Sequence, residues 1–289
     1  MGLFDKLSTM LQGNKVNIDK RFEKLRQAVA GTMSKFYMAR DRTTDKIVGL
    51  KVGEREKVEA FEARFKGLSK PPEGKIAMEL KHPRIVETYE YGMTTDNLPY
   101  MVMEFLEGPG MHTVVKERDE DVMAGHRVRY IRHMAEALAV VHQRGFIHRD
   151  VCPRNFIYLP ATREVRLIDF GLTVPATPEF MQPGNRTGTP LYMAPEVVRR
   201  RPTDQRLDIF SFGVTAYSIC CFDLPWPVTE TTGLAALAHD TVPPKPLQEV
   251  RPDLDPTLCR AIMQCVESSL DKRTQSMDLF LNAIKNLED

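Results

Sequence analysis

Three stretches decide how this chain is read: His148-Arg149-Asp150-Val151-Cys152-Pro153-Arg154-Asn155, then Asp169-Phe170-Gly171, then Ala194-Pro195-Glu196. Asp169 lies 19 residues after Asp150, and Glu196 lies 27 after Asp169 (169 − 150 and 196 − 169). A carboxylate such as Asp150 is suited to orient a hydroxyl and accept its proton. Asn155 and Asp169 are hard oxygen donors, the type that holds a small divalent cation. One tripeptide alone is a weak signal. Three in order, each with a chemical task, are a specific one.

Composition bounds what surrounds these stretches. The 289 residues are 42% hydrophobic and 27% charged, enough to bury one large core or two small ones. Forty Lys and Arg against thirty-nine Asp and Glu leave a net charge of +1, which argues against a nucleic-acid coat or a charged disordered tail. The five cysteines (Cys152, Cys220, Cys221, Cys259, Cys265) form no C-x-x-C pair, so zinc ribbons and disulfide scaffolds are disfavoured and a reducing cytoplasm is expected. The apolar run from Ile209 to Trp226 is interrupted by Ser211, Ser218, Asp223 and Pro225. It reads as a buried helix and not as a transmembrane segment, which needs about 20 apolar residues. Met1-Gly2-Leu3-Phe4-Asp5-Lys6 is read as neither a signal peptide nor a myristoylation site.

The chain falls into three parts. Residues 1–20 are an amphipathic extension. Its helical spacing of Leu3, Phe4, Leu7, Met10 and Leu11 suits either docking on its own domain or a partner or membrane surface. Residues 21–105 read as strands, with Phe36–Ala39 and Lys46–Val52 flanking a polar turn at Asp41–Asp45, and Tyr100–Phe105 as a later strand. A helix at Glu73–Leu80 interrupts them, and the Pro71-Pro72 pair before it predicts a late start and a short length. Leu106-Glu107-Gly108-Pro109-Gly110 reads as a hinge. Residues 106–289 are helical: Val128, Ile131, Ala135, Leu138 and Val141 share one face, Asp208–Cys221 is apolar all round, and Leu279, Phe280, Ile284 and Leu287 form a last stripe. The expected class is α+β and bilobal, with a small β-rich N-lobe and a larger helical C-lobe in one catalytic domain, 21–289.

The His-Arg-Asp, Asp-Phe-Gly and Ala-Pro-Glu set resembles the signature of the protein-kinase family, and the chain is most similar to the bacterial members of its eukaryotic-type Ser/Thr group. The resemblance implies transfer of the ATP γ-phosphate, with Mg²⁺, to a protein Ser or Thr hydroxyl, a reaction that depends on positioning and charge neutralisation. It assigns Asp150 as the catalytic base and Asn155 and Asp169 as metal ligands, to face Lys51 across one cleft. Lys51 is assigned to grip phosphates, with a glutamate partner. Glu73 and Glu79 both qualify, and the family spacing to His82-Pro83 selects Glu73. Met103, Glu104 and Leu106 match the adenine hinge, with Met103 as gatekeeper, and Ile157 forms the adenine floor. Gly188–Glu196 resembles the substrate loop of Ser/Thr kinases. Arg149 is a candidate for binding a phosphorylated loop. Of Thr173, Thr177, Thr187 and Thr189, Thr187 is the first choice for regulation, and Thr189 serves the loop and the catalytic aspartate. Phe170 and Gly171 complete the metal-loop tripeptide. Asp208 tethers the catalytic loop, and Arg273 pairs with Glu196.

Four features depart from the pattern. The glycine-rich loop reads Val29, Gly31 and Ser34, so Gly31 alone remains, and Phe36 replaces the valine above adenine. Gly49 replaces the alanine beside Lys51, removing a small contact with the base. Cys152 stands where a γ-phosphate lysine is usual, with Arg154 as a substitute cation. Ala77 and Thr88 stand where larger apolar residues belong in the internal spine with Phe170 and His148. These departures keep a pseudokinase, a nucleotide-binding scaffold, as the second reading. A small-molecule phosphotransferase is the third, a class that lacks the Gly188–Glu196 loop. No nucleic acid and no membrane span are expected, and the N-terminal helix is the candidate docking element.

Overall fold

Short polar turns and alternating apolar strands build the first part of the chain. The computed structural model describes residues 15–27, 34–65, 67–184, 187–227 and 235–289. The proposed helix at 2–12 and the loop positions Val29 and Gly31 lie outside them. The chain divides into two compact units, Met1–Lys81 with Val86–Leu106, and His82–Ile85 with Glu107–Asp289. The class is α+β: sheet dominates the first unit and helix the second.

In the first unit, β1 (Phe22–Gln27), β2 (Ser34–Asp41), β3 (Lys46–Gly53), β4 (Thr88–Met93) and β5 (Pro99–Met103) form one antiparallel sheet in the order β1-β2-β3-β5-β4. The β2–β3 turn is set by Asp41, whose Oδ1 accepts from the Thr43 N–H at 2.9 Å and the Thr43 hydroxyl at 2.6 Å. Period-two alternation sends Ala39, Val48, Leu50, Tyr100 and Val102 to one face, where they pack with Ile18 of α1 (Ile18–Arg21) and with Phe22. Arg21 staples this layer, reaching Asp41 at 2.9 Å and Glu90 at 2.8 Å. The β5 strand stops at Met103, two residues before the end expected from its apolar run. Glu104 turns away, its N–H donating to the Glu87 carbonyl at 2.9 Å and its carboxylate accepting from the Glu87 N–H at 2.8 Å.

Two helices follow β3. The first, α2 (Arg55–Glu62), is absent from the sequence reading, because its one buried apolar residue is Phe61 and its remaining positions carry no stripe. The second, α3 (Glu73–Glu79), starts directly after Pro72 and spans 7 residues, the late and short helix that the prolines predict. Gly74 lets it lie flat on β4, since a Cβ there would collide with the Cβ of Tyr91.

In the second unit, α4 (Met111–Glu117) precedes α5 (Arg127–Gln143), in which Ile131, Ala135, Leu138 and Val141 are all fully buried. The helix stops at Gly145, whose φ of 76° few other residues tolerate. Short strands follow: β6 (Phe146–Ile147), β7 (Phe156–Leu159), β8 (Glu164–Leu167) and β9 (Val174–Pro175). Next come α6 (Pro195–Val198), α7 (Arg206–Cys221), α8 (Pro256–Cys265) and α9 (Met277–Ala283). Every residue of α7 from Leu207 to Cys221 is buried, so its uniform apolarity reflects a central helix. Among the described residues no helix is long and apolar enough to cross a membrane. In the last stripe Phe280 and Ile284 are buried, but Leu279 is 55% exposed and its N–H caps on the Ser276 hydroxyl at 3.2 Å.

Thr88 opens β4 opposite Met103 and is buried, its hydroxyl without a hydrogen-bond partner among the described residues. An unsatisfied buried hydroxyl costs about 1 kcal/mol or more. Thr88→Val is therefore expected to raise the thermal unfolding midpoint by about 2 °C, read by circular dichroism; a lowered midpoint would show that the hydroxyl is satisfied.

Candidate functional site

Asp208, in the first turn of α7, is completely buried. Its two oxygens accept from the backbone N–H groups of His148 and Arg149, each at 2.7 Å, and Oδ2 also meets His142 Nε2 at 2.9 Å. Burial pushes this carboxyl up, but the His142 contact and the loop N–H groups pull harder, and it stays below the usual carboxylate range. The tether holds Arg149 at φ 70°, a left-handed conformation that costs a non-glycine residue of the order of 1 kcal/mol or more.

That turn presents Asp150. Its Oδ1 accepts from the Thr189 N–H at 2.9 Å and the Thr189 hydroxyl at 2.7 Å. Its Oδ2 accepts from Asn155 Nδ2 at 3.0 Å, and the same amide nitrogen donates to the Asp150 carbonyl at 2.7 Å. Asn155 thus spends its donors on Asp150 and keeps its carbonyl oxygen for another partner. Asp169 has φ 65° and accepts the Gly171 N–H at 3.0 Å through Oδ1. Phe170 is buried, its ring edge-on to His148 with centroids 5.6 Å apart. Ile157, in β7, is half-buried and bridges to Gly110.

Two hard oxygen donors, from Asp169 and Asn155, suit Mg²⁺, which keeps several waters and completes its shell with phosphate oxygens. Among the described residues no group of three or more His, Cys, Asp or Glu is arranged around a metal.

Cys152 sits beside Asp150, 1% exposed, with the Thr189 hydroxyl 3.6 Å from its Sγ. Burial, then the Asp150 charge, pushes its thiol up to about 11. It is a neutral packing group, unsuited to redox or phosphate contact. Arg154, two residues on, is exposed. Of the four candidate hydroxyls, Thr173 and Thr187 are buried and Thr177 is exposed, so modification of Thr187 requires its loop to open.

The Gly188–Glu196 loop is anchored at both ends. Gly188 has φ 125°, and a Cβ there would stand 2.7 Å from the Arg149 carbonyl, so this glycine is required. Sequence reasoning gave Gly188 no role of its own, although the Gly-Thr-Pro turn carries a signal for one. His142 also escaped it, because a lone histidine in the last turn of α5 belongs to no motif. At the other end Glu196 meets Arg273 through paired contacts of 2.7 and 3.0 Å, both side chains essentially buried. Arg273 also donates to the carbonyls of Glu267 and Arg206 at 2.9 Å and lies over the Phe210 ring.

In the first unit, Lys51 Nζ contacts Glu73 Oε1 at 2.5 Å, while Glu79 lies at the far end of α3. Of the two candidates, it is Glu73 whose ion pair with Lys51 the structure contains. Met103 is buried in β5, opposite Gly49 in register. Phe36, opposite Lys51, packs its ring onto Gly49.

A family model described as the protein kinase domain matches residues 22–282. The chain is 30% identical over 262 residues to the serine/threonine-protein kinase pkn3 of Myxococcus xanthus, covering 86% of this chain and 47% of that protein. It is 28% identical to pkn2 of the same organism, covering 95% of this chain and 33% of pkn2. It is 30% identical to the serine/threonine-protein kinase PknB of Mycobacterium leprae, covering 82% and 39%. The chain thus spans less than half the length of each of these relatives.

Two measurements test the supports of the site. Arg273→Leu strands Glu196 without a partner and is expected to cost about 3–5 kcal/mol, read as a shift in the denaturant midpoint; a shift below about 1 kcal/mol would sink the structural role. Alkylation near neutral pH, mapped by mass spectrometry, is expected to label Cys152 in denaturant and spare it in the native protein.

Proposed function

The chain belongs to the protein kinase family, and from that premise we propose that it is an ATP- and Mg²⁺-dependent Ser/Thr protein kinase. The observation that carries the reading is the polar cluster on Asp150, where Thr189 and Asn155 fix both carboxylate oxygens. A base held this way orients an incoming Ser or Thr hydroxyl and takes its proton as the oxygen attacks the γ-phosphorus. Asn155 and Asp169 are assigned to hold Mg²⁺, which when bound neutralises phosphate charge. Lys51, held by Glu73, is assigned to the α- and β-phosphates, and the backbone of Glu104 and Leu106 to the adenine edge. Arg154 is the cation available in place of the lysine that Cys152 replaces.

Residues 21–289 are proposed to work as one catalytic domain of two lobes, 21–105 and 106–289. A cytoplasmic setting is supported by five buried thiols, all unpaired. The regulatory hydroxyl is proposed to be Thr187, with Arg149 as the cation that receives its phosphate.

A nucleotide-binding scaffold is the second reading, favoured by the unsatisfied Thr88 hydroxyl and the neutral Cys152. Incubation with labelled ATP, Mg²⁺ or Mn²⁺ and a generic basic protein decides. The expected result is γ-phosphate transfer that falls at least about 100-fold in Asp150→Asn. ATP binding without any transfer would leave the scaffold.

A further inference from the structure

The sheet face that packs on Ile18 and Phe22 is only partly covered among the described residues. Tyr37 and Val52 join the same cluster but stay half-buried. Beside them the first unit holds a groove of about 460 Å³ with an apolar wall of Ile18, Tyr37, Val52 and Leu98. Most of its charged lining is already answered inside the unit. Lys24 pairs with Asp19 at 2.8 Å, Lys57 pairs with Glu54 at 2.8 Å, and Arg55 donates to the Asp96 carbonyl at 2.5 Å. What the groove has left to offer is apolar surface, and not a site for a free anion. The chain itself enters at the edge of this groove. The Val16 N–H donates to the Met93 carbonyl and the Thr95 N–H to the Val16 carbonyl, each at 3.0 Å, while Lys15 Nζ donates to Asn97 Oδ1 at 2.5 Å. Thr94 and Asp96, from the same turn, line the groove. Residue 15 is therefore pinned beside it.

Residues 2–12 lie outside the described residues, but their sequence and their tether are known. Only Gly13 and Asn14 separate them from Lys15, so the Cα of Gln12 stands no more than about 11 Å from that of Lys15. At helical spacing Leu3, Leu7 and Leu11 share one face, and as a helix the segment would run about 16 Å. Asp5 and Lys6 cancel in charge, so the segment brings mainly apolar surface to a partner. We propose that the groove between Tyr37, Val52 and Leu98 is the docking site of the chain's own segment 2–12, and that it receives the leucine face. The tether selects this occupant: a linker of two residues presents the segment at an effective concentration in the millimolar range, which a second copy in dilute solution does not reach. The docked segment would cover Val52, the neighbour of Lys51 in β3, and so buttress the strand that carries that lysine.

The test uses the full chain with Leu98→Cys, which puts a thiol in the groove wall while the five native thiols are buried. Adding Leu3→Glu and Leu7→Glu is expected to speed alkylation of that thiol at least about fivefold, because the cover is lost. The protection is expected to stay constant over an about hundredfold range of protein concentration, as a tethered occupant requires. Hydrogen exchange at residues 94–98, with the groove unaltered, gives a second reading should Leu98→Cys not fold: it is expected to be slower in wild type than in the double glutamate variant. Equal alkylation and equal exchange with and without the two glutamates overturn the inference. Protection that grows with protein concentration overturns it in favour of a second copy. Binding to phosphatidylglycerol vesicles that the two glutamates abolish, with the position-98 thiol unprotected in solution, overturns it in favour of a membrane surface.

Discussion

The buried carboxylate of Asp208 is the constraint on which the His148–Asn155 loop depends. A charge removed from water is costly unless it is fully hydrogen-bonded. Here the His148 and Arg149 N–H groups and the His142 ring saturate it. The same bonds hold the loop in a turn that an unconstrained chain avoids, since Arg149 takes a left-handed conformation. The carboxylate's need for donors and the loop's need for restraint are met by one set of contacts. Because Asp208 lies in the first turn of a helix buried from Leu207 to Cys221, the tether ends on an element packed on every side.

The other fixed points build outward from that helix. Arg273 donates to the Arg206 carbonyl at the start of α7 while closing on Glu196, so the end of the Gly188–Glu196 loop is referred to the same helix as the His148–Asp150 turn. Gly188 brings the beginning of that loop against the Arg149 carbonyl, and Thr189 then reaches Asp150. Thr189 is consequently a structural neighbour of Asp150, its hydroxyl already donated, while the Cys152 sulfur lies 3.6 Å from that hydroxyl.

The fold was legible in the sequence wherever one physical signal dominated. Periodicity gave α5 and α7 because their apolar spacing reports burial directly, and Pro72 gave the start of α3 because proline suits only a first turn. α2 left no such trace: its surface is charged and Phe61 is its lone buried contact. Leu279 misled for the opposite reason, an apolar residue at nearly the right phase whose position is fixed by a capping serine. In the site, motif residues were legible because their chemistry is restrictive, as with Asp150 and Glu196. Their supports were not. His142, Gly188 and Gly74 act through geometry, a ring nitrogen in reach, a positive φ, a missing Cβ, and a single sequence shows none of these until the chain is folded.

The departures from the family pattern sort by what kind of group was exchanged. Where bulk was exchanged, the structure absorbs it locally: Phe36 takes the volume that Gly49 gives up. Close packing makes such changes reciprocal, because a void or a clash in a sheet face is felt by its nearest neighbour. Where charge or polarity was exchanged, no neighbour answers in the same way. Cys152 is neutral at physiological pH, and the nearby cation, Arg154, is exposed to water, which weakens its field on any buried charge. Thr88 keeps a hydroxyl that no strand partner accepts. A shape change can be met by the one residue it touches. A missing charge must be replaced by another charge within a few ångströms, and the cation that the reading assigns to that task, Arg154, is exposed. On the proposed kinase reading, this chain therefore keeps the geometry of its catalytic loop and gives up a cation beside it.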